Sequence, residues 1–333
     1  MRNLFLPLFG LLLVVSSCNR PAASATNGTA PATAPTAVAT SGLAPTVSDT
    51  SLLWRISGPG ITAPSYLFGT IHLIPEEDYF MPPKVVRAVN DAEEIVFEID
   101  PRDMQDPTMM ISLMGKINMR GDTSLRDLLT DAEYEVVEDH FSQMGLPFAF
   151  LQRMKPMFLS AMVGQDLDMS GGMGGGMPGM SGMKSYEFEL TELAEQTGKE
   201  INGLETIDFQ LGLFDSIPYR AQAQMLYQAV EQSNTSAEDG ETPDQLSEMV
   251  ALYKRQAVAE MASTIGEESA EIARFEELLL TRRNENWAPT IREMAQRTEG
   301  GPVIFAVGAG HLGGQRGVVA LLREMGLSVE PIY

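Results

Sequence analysis

Three short runs of apolar, β-branched and aromatic residues pass with little or no polar interruption: Ser65-Tyr-Leu-Phe-Gly-Thr-Ile71, Ile95-Val-Phe-Glu-Ile99 and Pro302-Val-Ile-Phe-Ala-Val307. Runs of that length without alternation predict strands covered on both faces, as in a parallel sheet, rather than strands with one wet face. Between them the pattern turns helical. Thr130-Asp-Ala-Glu133 has the spacing of a capping box, and so does Thr242-Pro-Asp-Gln245, which precedes an amphipathic stretch through Ala262. Asp91 to Glu94 and Gln315 to Met325 fit helix ends abutting strands. Alternating strands and helices predict an α/β fold: a central mixed, largely parallel sheet with flanking helices, spanning residues 51–333, with a helical insertion between about Asp103 and Tyr186.

Two stretches break this pattern. Before residue 51, Arg2 leads an apolar run from Leu4 to Val15, too short to span a bilayer but of the length of a secretory signal. Val15-Ser-Ser-Cys18 follows and resembles the lipobox of bacterial lipoproteins. This predicts a signal peptide over 1–17, a lipid on Cys18 and a flexible Ala/Thr/Pro tether over 18–50. The expected location is the cell envelope, lipid-anchored. In a Gram-negative cell, Asn19 in place of aspartate favours the outer membrane, facing the periplasm. The second break is the Met/Gly stretch 169–183, whose seven glycines predict a mobile loop. Its five methionines are donors that Cu(I) favours, but no His or Cys adjoins them, and an adaptable apolar lid is the simpler reading.

Composition removes several classes of function. The formal charge is −22, and the first fifty residues hold only Arg2, Arg20 and Asp49, so the acid surplus sits in the domain. Such a surface repels phosphate backbones, so no nucleic-acid partner is expected. With one cysteine there is no internal disulfide and no zinc ribbon.

The candidate chemistry lies in a motif that occurs twice, Gly69-Thr-Ile-His72 and Gly308-Ala-Gly-His311. Each follows a predicted strand, so His72 and His311 should meet at the carboxyl edge of the sheet, where α/β proteins bind ligands. The glycines would let the backbone turn sharply and a ligand approach closely. The remaining histidine, His140, falls in a helical pattern and is read as structural. Glu98 interrupts an apolar strand and would be costly there unless coordinated or paired; Arg283 is a candidate partner. Glu205 ends the run Glu200-Ile-Asn-Gly-Leu-Glu205. Two histidines and a carboxylate leave coordination positions open for water, as a catalytic metal ion requires. Gly308-Ala-Gly-His-Leu-Gly313 also satisfies a dinucleotide-binding pattern, but a histidine in the phosphate turn argues against it.

Tyr66-Leu-Phe-Gly-Thr-Ile-His-Leu73, Gly203-Leu-Glu-Thr206 with Gln210, Arg283-Asn284 with Trp287, and Val307-Gly-Ala-Gly-His-Leu312 with Gly317 together resemble the TraB/GumN family, related to the Tiki proteases. The resemblance covers about Ser51 to Tyr333. It implies a fold shared with erythromycin esterases and the haem-binding ChaN proteins and, from Tiki, a metal-dependent peptidase. His72, Glu98, Arg283 and His311 match the family's polar core, and Glu205 its Gly-Leu-Glu-Thr segment. The chain departs from that pattern in the Met/Gly loop and in Glu187, where aspartate is common. The resulting expectation is a hydrolase for peptide or protein substrates. Its divalent ion (Mn, Co or Zn) would be held by His72, His311 and Glu98, with Glu98 as ligand or base and Arg283 facing the oxyanion. A metal-free esterase-like hydrolase and a peptide- or haem-binding module are the alternatives.

Overall fold

The computed structural model describes residues 42–105, 107–143, 145, 147–160, 162–163, 182–239, 245–264, 277–297 and 300–333. Cys18, the signal segment and residues 169–181 of the Met/Gly stretch lie outside them.

A six-stranded sheet forms the core, in the order β6-β4-β7-β2-β1-β8. Its strands are β1 (Leu53–Ser57), β2 (Ser65–Thr70), β4 (Glu94–Phe97), β6 (Glu200–Gly203), β7 (Val303–Gly308) and β8 (Ser328–Pro331). β6, β4, β7 and β2 are mutually parallel, while β1 runs antiparallel to both β2 and β8. Every residue of β4 and β7 is buried, as their unbroken apolar runs require of central strands covered on both faces. The core around them includes Trp54, Phe68, Ile95, Phe305 and Trp287. Helices Pro83–Asp91, Tyr186–Thr197, Arg282–Ala295 and Val318–Glu324 flank the sheet, and the last two pack on each other. A separate two-stranded ribbon pairs β3 (Ile74–Pro75) with β5 (Met183–Lys184).

Several expectations need correction. β1 and β8 were not foreseen: they are short, and Arg55 and Glu330 interrupt their apolar pattern with an exposed ion pair. Glu98 lies one residue beyond β4 rather than inside it. The amphipathic stretch through Ala262 is two helices, Gln245–Lys254 and Val258–Thr264, divided at Gln256, whose φ is 56°. That residue closes the first helix, with Gln256 N–H on Tyr253 O (2.8 Å) and Ala257 N–H on Leu252 O (3.1 Å). Its side chain meanwhile accepts from Leu52 N and Lys84 Nζ. The end of the stretch read as a tether lies against the domain: Arg323 donates to Leu43 O (2.8 Å) and Pro45 is buried. Met183, read as part of a loop, opens β5.

The helical insertion is present but larger than predicted. Helices Pro107–Lys116, Asp131–Gln143, Phe148–Leu151 and Pro156–Ser160 pack with two later ones, Ile207–Phe214 and Tyr219–Asp239, around two further apolar clusters. The Thr130 capping box forms, with Thr130 N–H on Glu133 Oε2 (2.8 Å) and Glu133 N–H on Thr130 Oγ1 (3.3 Å). Both helical excursions leave from the carboxyl ends of parallel strands, β4 and β6, and so flank the edge at which the candidate residues emerge.

Candidate active site

Four neighbouring parallel strands each deliver one polar residue just past the carboxyl end: Glu205 from β6, Glu98 from β4, His311 from β7 and His72 from β2. This places the sequence candidates together at the edge where α/β folds bind ligands. Arg283 joins them from the first turn of Arg282–Ala295, immediately after a π-helical turn, Glu277–Thr281. His140 stands apart in the Asp131–Gln143 helix, with Nδ1 3.3 Å from Asn234 Oδ1.

The two motif glycines do different work, and neither makes a positive-φ turn. A Cβ at Gly69 would lie 2.7 Å from Leu312 Cδ1 and 3.1 Å from Ala309 Cα, so this glycine lets two chain segments pack. A Cβ at Gly308 would instead enter the site, 3.3 Å from Glu98 Oε1, 3.5 Å from His311 Cδ2 and 3.8 Å from His72 Nε2. The space left by that missing methyl is where the three side chains converge.

Each histidine is oriented through Nδ1. His72 Nδ1 lies 2.9 Å from Glu187 Oε1, and Glu187 is itself held by Thr70 Oγ1 (3.0 Å) and Ser185 Oγ (2.9 Å). A carboxylate can only accept, so Nδ1 carries the hydrogen. Burial pulls the His72 imidazole down, but the charge and hydrogen bond of Glu187 outweigh it and lift the group to about 9. His311 Nδ1 lies 2.6 Å from Asn284 Oδ1. The Asn284 amide nitrogen donates to Arg316 O (2.9 Å), which sets Oδ1 towards the ring and again places the hydrogen on Nδ1. Burial, together with the positive charge of Arg283 and His72, lowers His311 to about 3 despite Glu98, so its Nε2 keeps a lone pair at neutral pH. The His72 side chain is 21 % exposed and that of His311 2 %, so the site opens on the His72 side.

Glu98 and Glu205 share Arg283. Arg283 Nη2 contacts Glu98 Oε2 directly and Glu205 Oε1 at 2.7 Å, while Nε donates to Glu205 Oε1 at 2.9 Å. Gly308 N–H (2.8 Å) and Gln210 Nε2 (3.3 Å) complete Glu98, and Trp287 Nε1 (3.0 Å) completes Glu205. Burial would raise Glu98, but the Arg283 guanidinium, both imidazoles and the Gly308 N–H hold it well below the usual carboxylate range. Glu205 is moved the other way, upward, by burial and by the charge of Glu98, against the pull of Arg283. Glu98 is therefore a fixed anion and a weak base.

The donor types suit a divalent ion. Both histidines present Nε2 inward with Nδ1 tied to an oxygen, the orientation that outer-shell partners give metal-binding imidazoles. They are not gathered into a ready cage: among the described residues no three His, Cys, Asp or Glu side chains are grouped so as to hold a metal ion. Instead, Arg283 Nη1 lies 3.3 Å from His311 Nε2, while Nη2 occupies Glu98. Sequence reasoning named His72, His311, Glu98, Glu205 and Arg283. It gave no role to Glu187, Asn284, Gln210 or Trp287, although the last three belong to the quoted motifs and Glu187 is the position where the chain departs from the family's aspartate.

Comparison with known proteins identifies the family of the chain. No solved structure matches the chain. Residues 52–331 match the model of the TraB/PrgY/gumN family. Among curated proteins, the chain is 23% identical over 329 residues to "Metalloprotease TIKI2" of Danio rerio, covering 84% of this chain and 60% of that protein. It is 21% identical over 327 residues to "Metalloprotease TIKI1" of the same fish, covering 84% and 63%. The chain thus spans less than two thirds of the length of these distant relatives. With the family model extending from the first core strand to the last, the chain belongs to the TraB/PrgY/gumN family.

Proposed function

We propose that this protein is a metal-dependent hydrolase that cleaves peptide bonds in protein or peptide substrates at the carboxyl edge of its parallel sheet. The observation that carries the reading is the convergence of His72, His311 and Glu98 around Gly308, with both Nε2 atoms turned inward. The distant similarity to proteins named metalloproteases supports the reaction class. His72 Nε2, His311 Nε2 and Glu98 would hold Mn²⁺, Co²⁺ or Zn²⁺. Such an ion, when bound, lowers the pKa of a water and polarises a carbonyl. Of the two roles open to Glu98, ligand or general base, its low pKa favours ligand. Arg283, buried beside it, is the donor for a developing oxyanion, and Glu205 with Trp287 fixes its plane. Substrate enters past His72, the exposed member of the set. The same reading keeps the expectation that Cys18 is lipidated and holds the domain in the cell envelope.

The test is incubation of the mature protein with peptides, with each of the three ions or with chelator, read by mass spectrometry. Metal-dependent cleavage that disappears in His72→Ala and His311→Ala and persists in His140→Ala is the expected result. The His72–Glu187 pair favours one second reading, a metal-free hydrolase, since a carboxylate-held imidazole can move protons itself. Cleavage that survives chelation would establish that alternative. No cleavage with any ion would leave a binding module.

A further inference from the structure

Arg283 makes four side-chain hydrogen bonds in and beside the candidate site. Nε donates to Glu205 Oε1 and Nη2 to Glu98 Oε2, and Nη2 also forms an ion pair with Glu205 Oε1 at 2.7 Å. Nη1 reaches Leu279 O (3.1 Å) and His311 Nε2 (3.3 Å). Two of the three side chains read as metal ligands are thereby held by the guanidinium. The Trp287 ring supports it from one face, with Arg283 Cζ 4.5 Å from the ring centroid. A single carboxylate would neutralise this arginine, yet two are buried with it. Only one of them, Glu98, adjoins Gly308 and the histidines. Glu205 is instead anchored through its other oxygen, Oε2, by Trp287 Nε1.

We propose that Arg283 is a surrogate cation: it holds the site together when no metal is bound and is displaced from Glu98 and His311 when a divalent ion enters, remaining attached to Glu205. The inference rests on the metal-dependent reading above and adds to it a competition between one of the protein's own side chains and the ion. It accounts for both carboxylates. Glu98 changes partner, whereas Glu205 keeps Arg283 from being left as an uncompensated buried charge. The exchange also frees one edge of the guanidinium to face the substrate.

Calorimetric titration of the full mature chain with Mn²⁺ and Co²⁺ tests this. Replacing the fork should remove the competitor, so Arg283→Gln should bind metal about tenfold more tightly, near the worth of one strong charge-assisted hydrogen bond. Arg283→Lys separates displacement from the mere field of a nearby positive charge. It keeps the charge but cannot bridge two carboxylates and an imidazole, so it too should bind more tightly than wild type. Glu205→Gln, which leaves the guanidinium more firmly on Glu98, should bind more weakly. Tightening in the glutamine variant alone would reduce the effect to through-space repulsion and overturn the proposal, as would no tightening in either. Because a variant at this position can fail to fold, the unaltered chain supplies a second readout. In protein labelled with ¹⁵N-arginine, the protected Arg283 side-chain N–H signals should be lost or shifted on addition of Zn²⁺. Unchanged signals on a chain that binds Zn²⁺ would also overturn it. Binding by wild type that is abolished in His72→Ala upholds the metal reading whichever way the arginine behaves. Absence of binding in every form overturns both.

Discussion

At His72 a neighbouring carboxylate decides the charge of a candidate ligand. Because Glu187 lifts the imidazole to about 9, the ring is protonated at neutral pH and must lose that proton to coordinate. Metal affinity should therefore climb about tenfold per pH unit from pH 7 towards 9 and then level off. In Glu187→Gln the plateau should begin near the ordinary histidine range; titrations across pH in both forms would check this. The linkage to folding has the opposite sense. A raised pKa stabilises the metal-free protein fully below the unfolded value near 6.5, and that contribution is lost as pH rises through 9. The motif glycines give a second prediction. Gly69→Ala drives a methyl into Leu312 and the Ala309 backbone and should cost about 1–3 kcal/mol of stability by urea denaturation. Gly308→Ala, whose methyl meets the site atoms at ordinary contact distances or slightly closer, should lower stability less and reduce metal binding more. The catalytic candidates were legible because charge and imidazole are conspicuous at the ends of apolar runs. Glu187 was not, because its meaning comes from a ring 115 positions away in the chain.

Among the elements, the helical excursions are joined by a buried ion pair. Lys155, whose side chain is 3 % exposed, meets Asp215 Oδ1 at 2.8 Å, and Arg120 and Tyr219 complete that carboxylate. Asp215 comes from the excursion after β6, and Lys155 and Arg120 from the one after β4. Asp215→Asn would leave the lysine buried without a counter-charge and should cost about 3–5 kcal/mol. Adding Lys155→Met should recover much of the loss, measured by denaturant melts of the single and double variants. The Thr130 capping box marked a helix of the first excursion in the sequence, but nothing there showed that residues 207–239 share its core. Amphipathic helices declare that one face is covered, not by which partner. β1 and β8 were missed for a related reason: exposed Arg55 and Glu330 disguise short strands of which the sheet buries Leu53, Trp54, Ile56 and Val329. The break at Gln256 was invisible because glutamine is an ordinary helix residue, and its φ of 56° goes with long-range contacts of its side chain to Leu52 and Lys84.

For the molecule as a whole, the acidic charge and the N-terminal segment lead to one prediction about place. If Cys18 carries lipid, the protein should fractionate with membranes, and Cys18→Ala should accumulate as unprocessed precursor or as a poorly processed soluble form. Normal processing and membrane association of that variant would refute the anchor. No described helix is long and apolar enough to cross a bilayer. The order of the sheet has a further consequence, one of timing. β7 is the last of the four parallel strands to be synthesised, yet it lies between β4 and β2, which come much earlier. Until it inserts, those two strands present unpaired edges, and neither His311 nor Gly308 is in place. A growing or truncated chain thus has His72 and Glu98 on separate, unjoined pieces and lacks a working centre. A centre of the proposed kind therefore cannot assemble before β7 has been made and has inserted between its neighbours.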